Sequence, residues 1–308
     1  MTLHVAIAIV GFRNPEDIVL CLGALGRSTH GNFEVVVCEN GGDAAFAALE
    51  AATPKALPGG QAVRLIQASG NIGFAGGVNT CIAAAPDAGA WWILNPDTEV
   101  EPDALAFMVA RLEAGDVDAV GCVLALDDGT AQALGGLWRP WLARAEAIGR
   151  GRPIGADIDA AEVEATQSFI MGASLLAGRR FVETTGPMRE DYFLYGEEAE
   201  WCFRATALGM RLGFAPRAVV HHHQGATTGS GRAVSRRPRL PVFLDERNKM
   251  LITRDHFPAR LPVAAAAALA LLFLRYGVKG RGNALSHALA GWWSGLRNQR
   301  GRPAFAAA

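Results

Sequence analysis

The chain has no C-x-x-C pair, and its five cysteines (Cys21, Cys38, Cys81, Cys122, Cys202) are odd in number. That argues against a disulfide framework and against a zinc site built on thiolates. Their apolar or helical surroundings read as reduced core thiols of a cytosolic protein. Charge is sparse, at 19% of residues. The N-terminal stretch lacks a basic region before its short apolar run, so it reads as a first strand and not as a secretory leader. The run 261–274 has 14 residues without a charge, short of the ~20 that a spanning helix needs. Acidic residues are missing from 256 onward, where seven Arg or Lys stand alone. The remaining 22 basic and 30 acidic residues give an acidic body, which excludes a general nucleic-acid binder with its positive charge on the working domain.

What is present is an alternating rhythm. Short Val- and Ile-rich runs at 4–10, 33–39, 63–68 and 91–95 read as strands, with helical spacing at 15–25, 44–52 and 77–85 between them. This predicts an α/β fold with a mostly parallel sheet flanked by helices, and ligands at the carboxyl ends of its strands. A helix is expected at 103–113, a strand at 119–126, strands at 169–176 and 211–223 around a helix at 197–208, and loops across 127–165. A mobile loop is expected at 225–239. Residues 1–245 are expected to form the main domain, in two halves at 1–100 and 101–245. Residues 246–308 form a helical, basic extension, in which 261–274 reads equally as a packed terminal helix or as one lying at a membrane interface.

Four clusters fall at strand ends. Glu39, Asn40 and Asp43 can read a base or ribose, though strand-end Asn-Gly is commonly just a turn. The string from Asn71 to Asn79 carries Gly73, Gly76 and Gly77 before a helix, a place for a phosphate. Its spacing is not G-x-G-x-x-G, and Gly11-Phe12-Arg13-Asn14-Pro15 offers no such loop either, which disfavours a nucleotide-sugar oxidoreductase. Asn95 and Asp97 present hard oxygen donors suited to Mg²⁺ or Mn²⁺. Glu197, Glu198 and Glu200 open a helix, where carboxylates are also favourable as simple caps. In the triplet His221-His222-His223, strand alternation sends His222 to one face and its neighbours to the other.

Taken in order, these strings resemble glycosyltransferase family 2, the inverting enzymes of GT-A fold, and its rhamnosyltransferase-like bacterial branch. The resemblance covers roughly residues 4–255. It implies Phe12, Glu39, Asn40, Asp43, Asn71, Gly73, Gly76, Asn79 and Asn95 on the donor side. It places Asp97, with His222 or His221, at the metal, and Gly172, Ala173 and Trp201 toward the acceptor. Glu198, where the family has Asp, is the base, with Glu197 beside it. Asn95 likewise stands where Asp is usual, and Gly11-Phe12-Arg13 replaces Thr-Tyr-Asn. The implied partners are a nucleotide-diphosphate sugar such as a dTDP-rhamnose-like donor and a glycan or lipid-linked acceptor of cell-surface polysaccharide, with no nucleic acid. The implied place is the cytoplasm, peripheral on the inner membrane through the basic tail. A catalytically inactive relative that binds glycan or nucleotide is the alternative.

Overall fold

The computed structural model describes residues 2–223, 238–277 and 282–306. The first half builds the expected rhythm: β1 (Val5–Gly11), α1 (Pro15–Leu25), β2 (Phe33–Glu39), α2 (Asp43–Ala52), β3 (Val63–Gln67), α3 (Gly73–Ala84), β4 (Ala90–Leu94). β1 pairs in parallel with β2 and β4, and β2 with β3. Every residue of β1 and β4 is buried. Alternation then divides β1 between two cores. Ala6, Ala8 and Val10 join one layer, and Val5, Ile7 and Ile9 the other, so helices cover both faces. α1 begins with Pro15 at its first turn beside Glu16 and Asp17, residues that suit free N–H groups and a positive helix end.

Next come β5 (Thr98–Val100), α4 (Ala104–Glu113), β6 (Ala119–Ala125), β7 (Ala131–Ala133), β8 (Gly135–Arg139), β9 (Arg144–Ile148), α5 (Ala160–Thr166), β10 (Ser174–Gly178), α6 (Arg179–Thr185), α7 (Glu197–Ala207) and β11 (Leu212–His222). The main sheet runs β3-β2-β1-β4-β10-β6-β11-β5, with β7 beside β6. β10 lies antiparallel between β4 and β6, so the second half is mixed where the first is parallel. Its Ser174 hydroxyl accepts from Trp92 Nε1 at 2.9 Å, fixing the junction.

The region 127–165 departs from the expected loops. It holds β7, the β8–β9 hairpin and α5, which Asp159 caps by accepting from the Ala161 amide. Gly136 serves packing: a Cβ there would lie 2.2 Å from the Phe169 ring. The strand expected from 169 begins only at Ser174, and the loop expected at 225–239 lies outside the described residues but for its last two positions. All five cysteines are free and buried; burial pushes the Cys21 and Cys122 thiols up to about 12, as inert core thiols require.

Three helices close the chain: α8 (Arg239–His256), α9 (Leu261–Leu272) and α10 (Gly282–Leu296). α8 runs unbroken through residue 245, where a domain boundary was expected. α10 packs on α8 through Gly291 and Gly295, four residues apart. A Cβ there would meet the Phe243 carbonyl at 2.2 Å and the Arg247 carbonyl at 2.4 Å. Gly291→Ala should therefore lift α10 off α8 and cost roughly 1–3 kcal/mol, read as a lower Tm with unchanged helical circular dichroism at 20 °C or so; an unchanged Tm would show that the contact is loose.

Candidate active site

The turn after β2 is built around one carboxylate. Glu39 is wholly buried; its Oε1 accepts from the Arg13 amide at 3.0 Å and the Gly41 amide at 2.7 Å. Its Oε2 is buried with no partner among the described residues, and a Cβ on Gly11 would sit 2.5 Å from it. A buried charged oxygen without a donor is costly unless a ligand supplies one. Asn40 donates to the Gly73 carbonyl at 2.9 Å, tying this turn to the start of α3, and Asn71 accepts from the Gly73 amide at 3.2 Å. Gly73 has φ +78 and no room for a Cβ, which would meet the Phe193 carbonyl at 2.3 Å. Gly76 is similarly tight against Ile72. Phe12, half-buried beneath the Arg13 guanidinium, and Asp43, exposed at the start of α2 with Gln67 donating to it at 2.6 Å, flank this end.

Across from it, strand pairing assembles a second group. β11 runs antiparallel to β5, which sets His222 opposite Thr98. His222 Nε2 lies 3.4 Å from Asp97 Oδ1 and 3.4 Å from the Asn95 amide nitrogen. Its Nδ1 is 2.8 Å from Gln132 Oε1. A carbonyl oxygen only accepts, so Nδ1 donates to it, and this bond holds the ring with Nε2 turned toward Asn95 and Asp97. A ring so held is a prepared ligand, the usual service of a partner behind a metal-binding histidine. Among the described residues no cluster of three His, Cys, Asp or Glu is close enough to hold an ion unaided. Asp97, His222 and Asn95 are residues that could hold a divalent ion, with its remaining ligands supplied by a bound substrate. His221 and His223 point elsewhere, to Glu101 at 3.0 Å and Asp127 at 2.8 Å.

The third group opens α7. Glu197 is 1% exposed, and its carboxyl is pushed up to about 8 by burial and by the neighbouring Glu198. Burial raises Glu198 too, while the backbone amides around it, those of Gly196, Ala199 and Gly172 among them, pull the other way. Gly196 donates to its Oε2 at 3.2 Å. Two such carboxyls cannot both ionise cheaply. The proton belongs on Glu197, whose Oε2 is buried without a partner among the described residues, and the charge on Glu198, which has amides to hold it. The segment 171–173 joins this pair to the metal group. A Cβ on Gly172 would lie 3.2 Å from Glu198 Cγ and Cδ, and the Ala173 carbonyl accepts from the Asn95 amide at 3.0 Å.

Two residues of the expected set are engaged with other parts of the chain. Trp201 is fully buried, edge-on to Phe181 at 4.8 Å with its Nε1 donating to Gly186, so it packs in the core and not toward the acceptor. Asn79 clamps the 188–190 segment, donating to Met188 and Glu190 and accepting from the Met188 amide, all at 2.9 Å. Conversely, Gln132 behind His222, and Arg247 and Asn248 of α8 behind the turn at 192–196, carried no motif in the sequence. Arg247 donates to the Tyr192 carbonyl at 2.7 Å, and Asn248 to the carbonyls of Tyr192, Leu194 and Tyr195.

Residues 4–240 match the family model described as "Glycosyltransferase like family 2". The chain is 24% identical over 243 residues to an uncharacterised protein of Sinorhizobium fredii, covering 75% of this chain and 25% of that protein. It is 27% identical over 199 residues to the N-acetylglucosaminyl-diphospho-decaprenol L-rhamnosyltransferase of Mycobacterium tuberculosis, covering 54% of this chain and 61% of the relative. The chain thus spans less than two thirds of either relative's length. Among solved structures, it superposes on a mannosyltransferase of Pyrobaculum calidifontis in complex with GDP-Man and Mn²⁺ with a TM-score of 0.59 at 16% identity, covering 97% of this chain and 88% of that one. A second, GalNAc-T7 with UDP, GalNAc and Mn²⁺, gives 0.59 at 14%, covering 81% and 51%. These likenesses establish the GT-A fold.

The carboxyl pair makes a pH prediction. Glu197 keeps its proton up to about 8 when folded, against an ordinary value of 4.5. Between those values the folded state binds more protons than the unfolded one, so stability falls as pH rises through that window. Denaturant midpoints measured across it should decline, and Glu197→Gln should flatten the decline. An equally steep fall in the variant would assign it to other groups.

Proposed function

The chain belongs to glycosyltransferase-like family 2, and on that premise we propose that it moves one sugar, with inversion, from a nucleotide-diphosphate sugar to a hydroxyl of a glycan or lipid-linked acceptor in bacterial cell-surface polysaccharide synthesis. The observation that carries the reading is two groups joined through 171–173: the adjacent carboxyls of Glu197 and Glu198 at the start of α7, and Asn95, Asp97 and His222 converging beyond β4 and at the end of β11. The name of the mycobacterial relative supports a rhamnose-type donor. Five free buried thiols suit a cytoplasmic site of action.

In this mechanism the nucleoside lies at the Glu39 turn, where Oε2 accepts an N–H of the base. Asn71 and the glycine turn at Gly73 and Gly76 border the donor. A divalent ion, Mg²⁺ or Mn²⁺, held by Asp97 and His222 beside Asn95 supplies, when bound, positive charge to the departing diphosphate. Gln132 keeps the His222 ring turned toward that place. Glu198 takes the acceptor hydroxyl's proton as its oxygen bonds to the anomeric carbon, while the bond to the diphosphate breaks on the opposite face. Glu197, neutral alongside, leaves Glu198 the charge it needs. Gly172 and Ala173 form the floor on the acceptor side.

Glu198→Gln tests the assignment. Turnover should fall by about 10²–10⁴-fold, while the donor still raises Tm as in the wild type, since base and donor groups are separate. Unchanged turnover would sink the role of Glu198, and absence of turnover in the wild type with donor binding intact would favour a binding protein of the same fold. Separately, His222→Ala should remove the Mn²⁺ dependence of the Tm rise produced by nucleotide-diphosphate sugars. At donor a hundred times its Kd that rise corresponds to about 2.7 kcal/mol. A rise that persists with full metal dependence would exclude His222 from the metal.

A further inference from the structure

The exposed large apolar side chains are not scattered. Six of the eight found among the described residues, Trp141, Leu142, Val263, Phe273, Leu274 and Trp293, belong to α9, its continuation to Gly277, α10, or the turn between β8 and β9. α9 orients them. Its inner stripe, Ala264, Ala265, Ala268 and Leu272, is buried, and its outer positions Val263, Ala266, Ala270, Phe273 and Leu274 are exposed without one charge among them. Contacts on either flank make the surface continuous. Arg260 stacks on Trp141 at 5.2 Å on one side, and Trp292 donates to the Ala265 carbonyl at 3.0 Å on the other, with Trp293 following it at 55% exposure. The stretch Pro258–Tyr276 is long and apolar enough to cross a membrane, yet only 28% of it is buried against the chain. A helix apolar all round is ordinarily covered on every side.

We propose that this face, α9 with the Trp141–Leu142 turn and Trp293, lies flat in the surface of an anionic lipid bilayer. Charge and shape choose that occupant. Arg260 stands at the start of α9 and Arg297 follows α10, in a segment from 256 to 308 that carries seven cations and no anion, of which Arg275 and Arg300 are paired with carboxylates of the body. Two exposed tryptophans flank the apolar stripe, the arrangement suited to the boundary between headgroups and acyl chains. The inner stripe of α9 remains packed on the body, so the helix rests on the bilayer and does not cross it.

The placement has a consequence that rests on the glycosyltransferase reading. A cleft of about 1100 Å³ runs from Gln132, Met171, Tyr195 and His222 at the reactive end to Leu142 and Leu274 at the apolar face. An acceptor whose apolar anchor stays in the bilayer reaches the site through this mouth without leaving the membrane.

Co-sedimentation of the full chain with vesicles tests the proposal: phosphatidylcholine alone, and phosphatidylcholine with an equal part of phosphatidylglycerol. The wild type should partition to the anionic vesicles, less so as salt rises. The pair Phe273→Glu and Leu274→Glu, both exposed and so tolerable to the fold, should lower that partition at least about tenfold. Leu20→Glu, equally exposed but on α1, should not. The donor-induced Tm rise, measured on the same samples, should be the same in all three proteins, which separates this proposal from the reading of the site. Failure of the wild type to bind anionic vesicles, or equal loss with Leu20→Glu, overturns the proposal. So does a dimer of the wild type that the Phe273 and Leu274 changes dissociate, which would assign the face to a second copy of the chain.

Discussion

One amide holds the reactive turn in place. Asn248 of α8 donates to the carbonyls of Tyr192, Leu194 and Tyr195 at 3.1, 2.9 and 2.7 Å. The turn it grips is an unfavourable one. Phe193 and Tyr195 have φ of +69 and +73, and Gly196, just ahead of the carboxyl pair, has +88. Left-handed backbone costs an ordinary residue about 1–2 kcal/mol, so such a turn persists only where its surroundings over-determine it. The Phe193 carbonyl points the other way, accepting from the Phe74 amide at 2.9 Å at the start of α3. The turn ahead of Glu197 and Glu198 and the glycine turn at Gly73 are thereby tied together through the Phe193 peptide.

Buried charge reinforces the same place. Arg247, 2% exposed, stands next to Asn248 and donates to the Tyr192 carbonyl; burial lowers its guanidinium to about 10. Below it, Asp255 accepts from the Tyr192 hydroxyl at 2.8 Å and pairs with Arg189 and Arg300. Breaking such a network by removing one member leaves a buried charge unanswered, which costs more than a surface pair. The C-terminal helices are therefore part of the reactive apparatus as well as a surface, since they supply α8 and the Arg300 arm that hold the turn from behind.

Much of this was legible in the residues. The β1 to β4 rhythm rests on apolar runs of strand length, and α1 was readable to its end residues because Pro15 opens it and its apolar spacing is unbroken. Alternation set His222 on one face and His221 and His223 on the other but left His222 and His221 as equal candidates, and the structure turns the His222 ring toward Asp97. Gln132, Asn248 and the Gly291–Gly295 contact were not legible, because each acts across 40 or more positions on a group whose location depends on the finished fold. Trp201 and Asn79 show how a site-like string also serves packing. Each sits inside a site-like string, yet burial of the indole against Phe181 and the hold of Asn79 on Met188 give both to packing. The short strands of 127–165 escaped notice because small residues, chosen there to fit beneath Phe169, resemble a loop in composition.

The central claim is that the turn gripped by Asn248 places the base, so the most direct measurement is turnover and donor Kd for Asn248→Ala, with the donor that stabilises the wild type. The account predicts a fall in kcat of about 10–10²-fold, well beyond any weakening of donor Kd, with the fold intact by circular dichroism. An unchanged kcat, or a donor Kd that weakens in step with it, would contradict the claim that α8 positions the carboxyl pair.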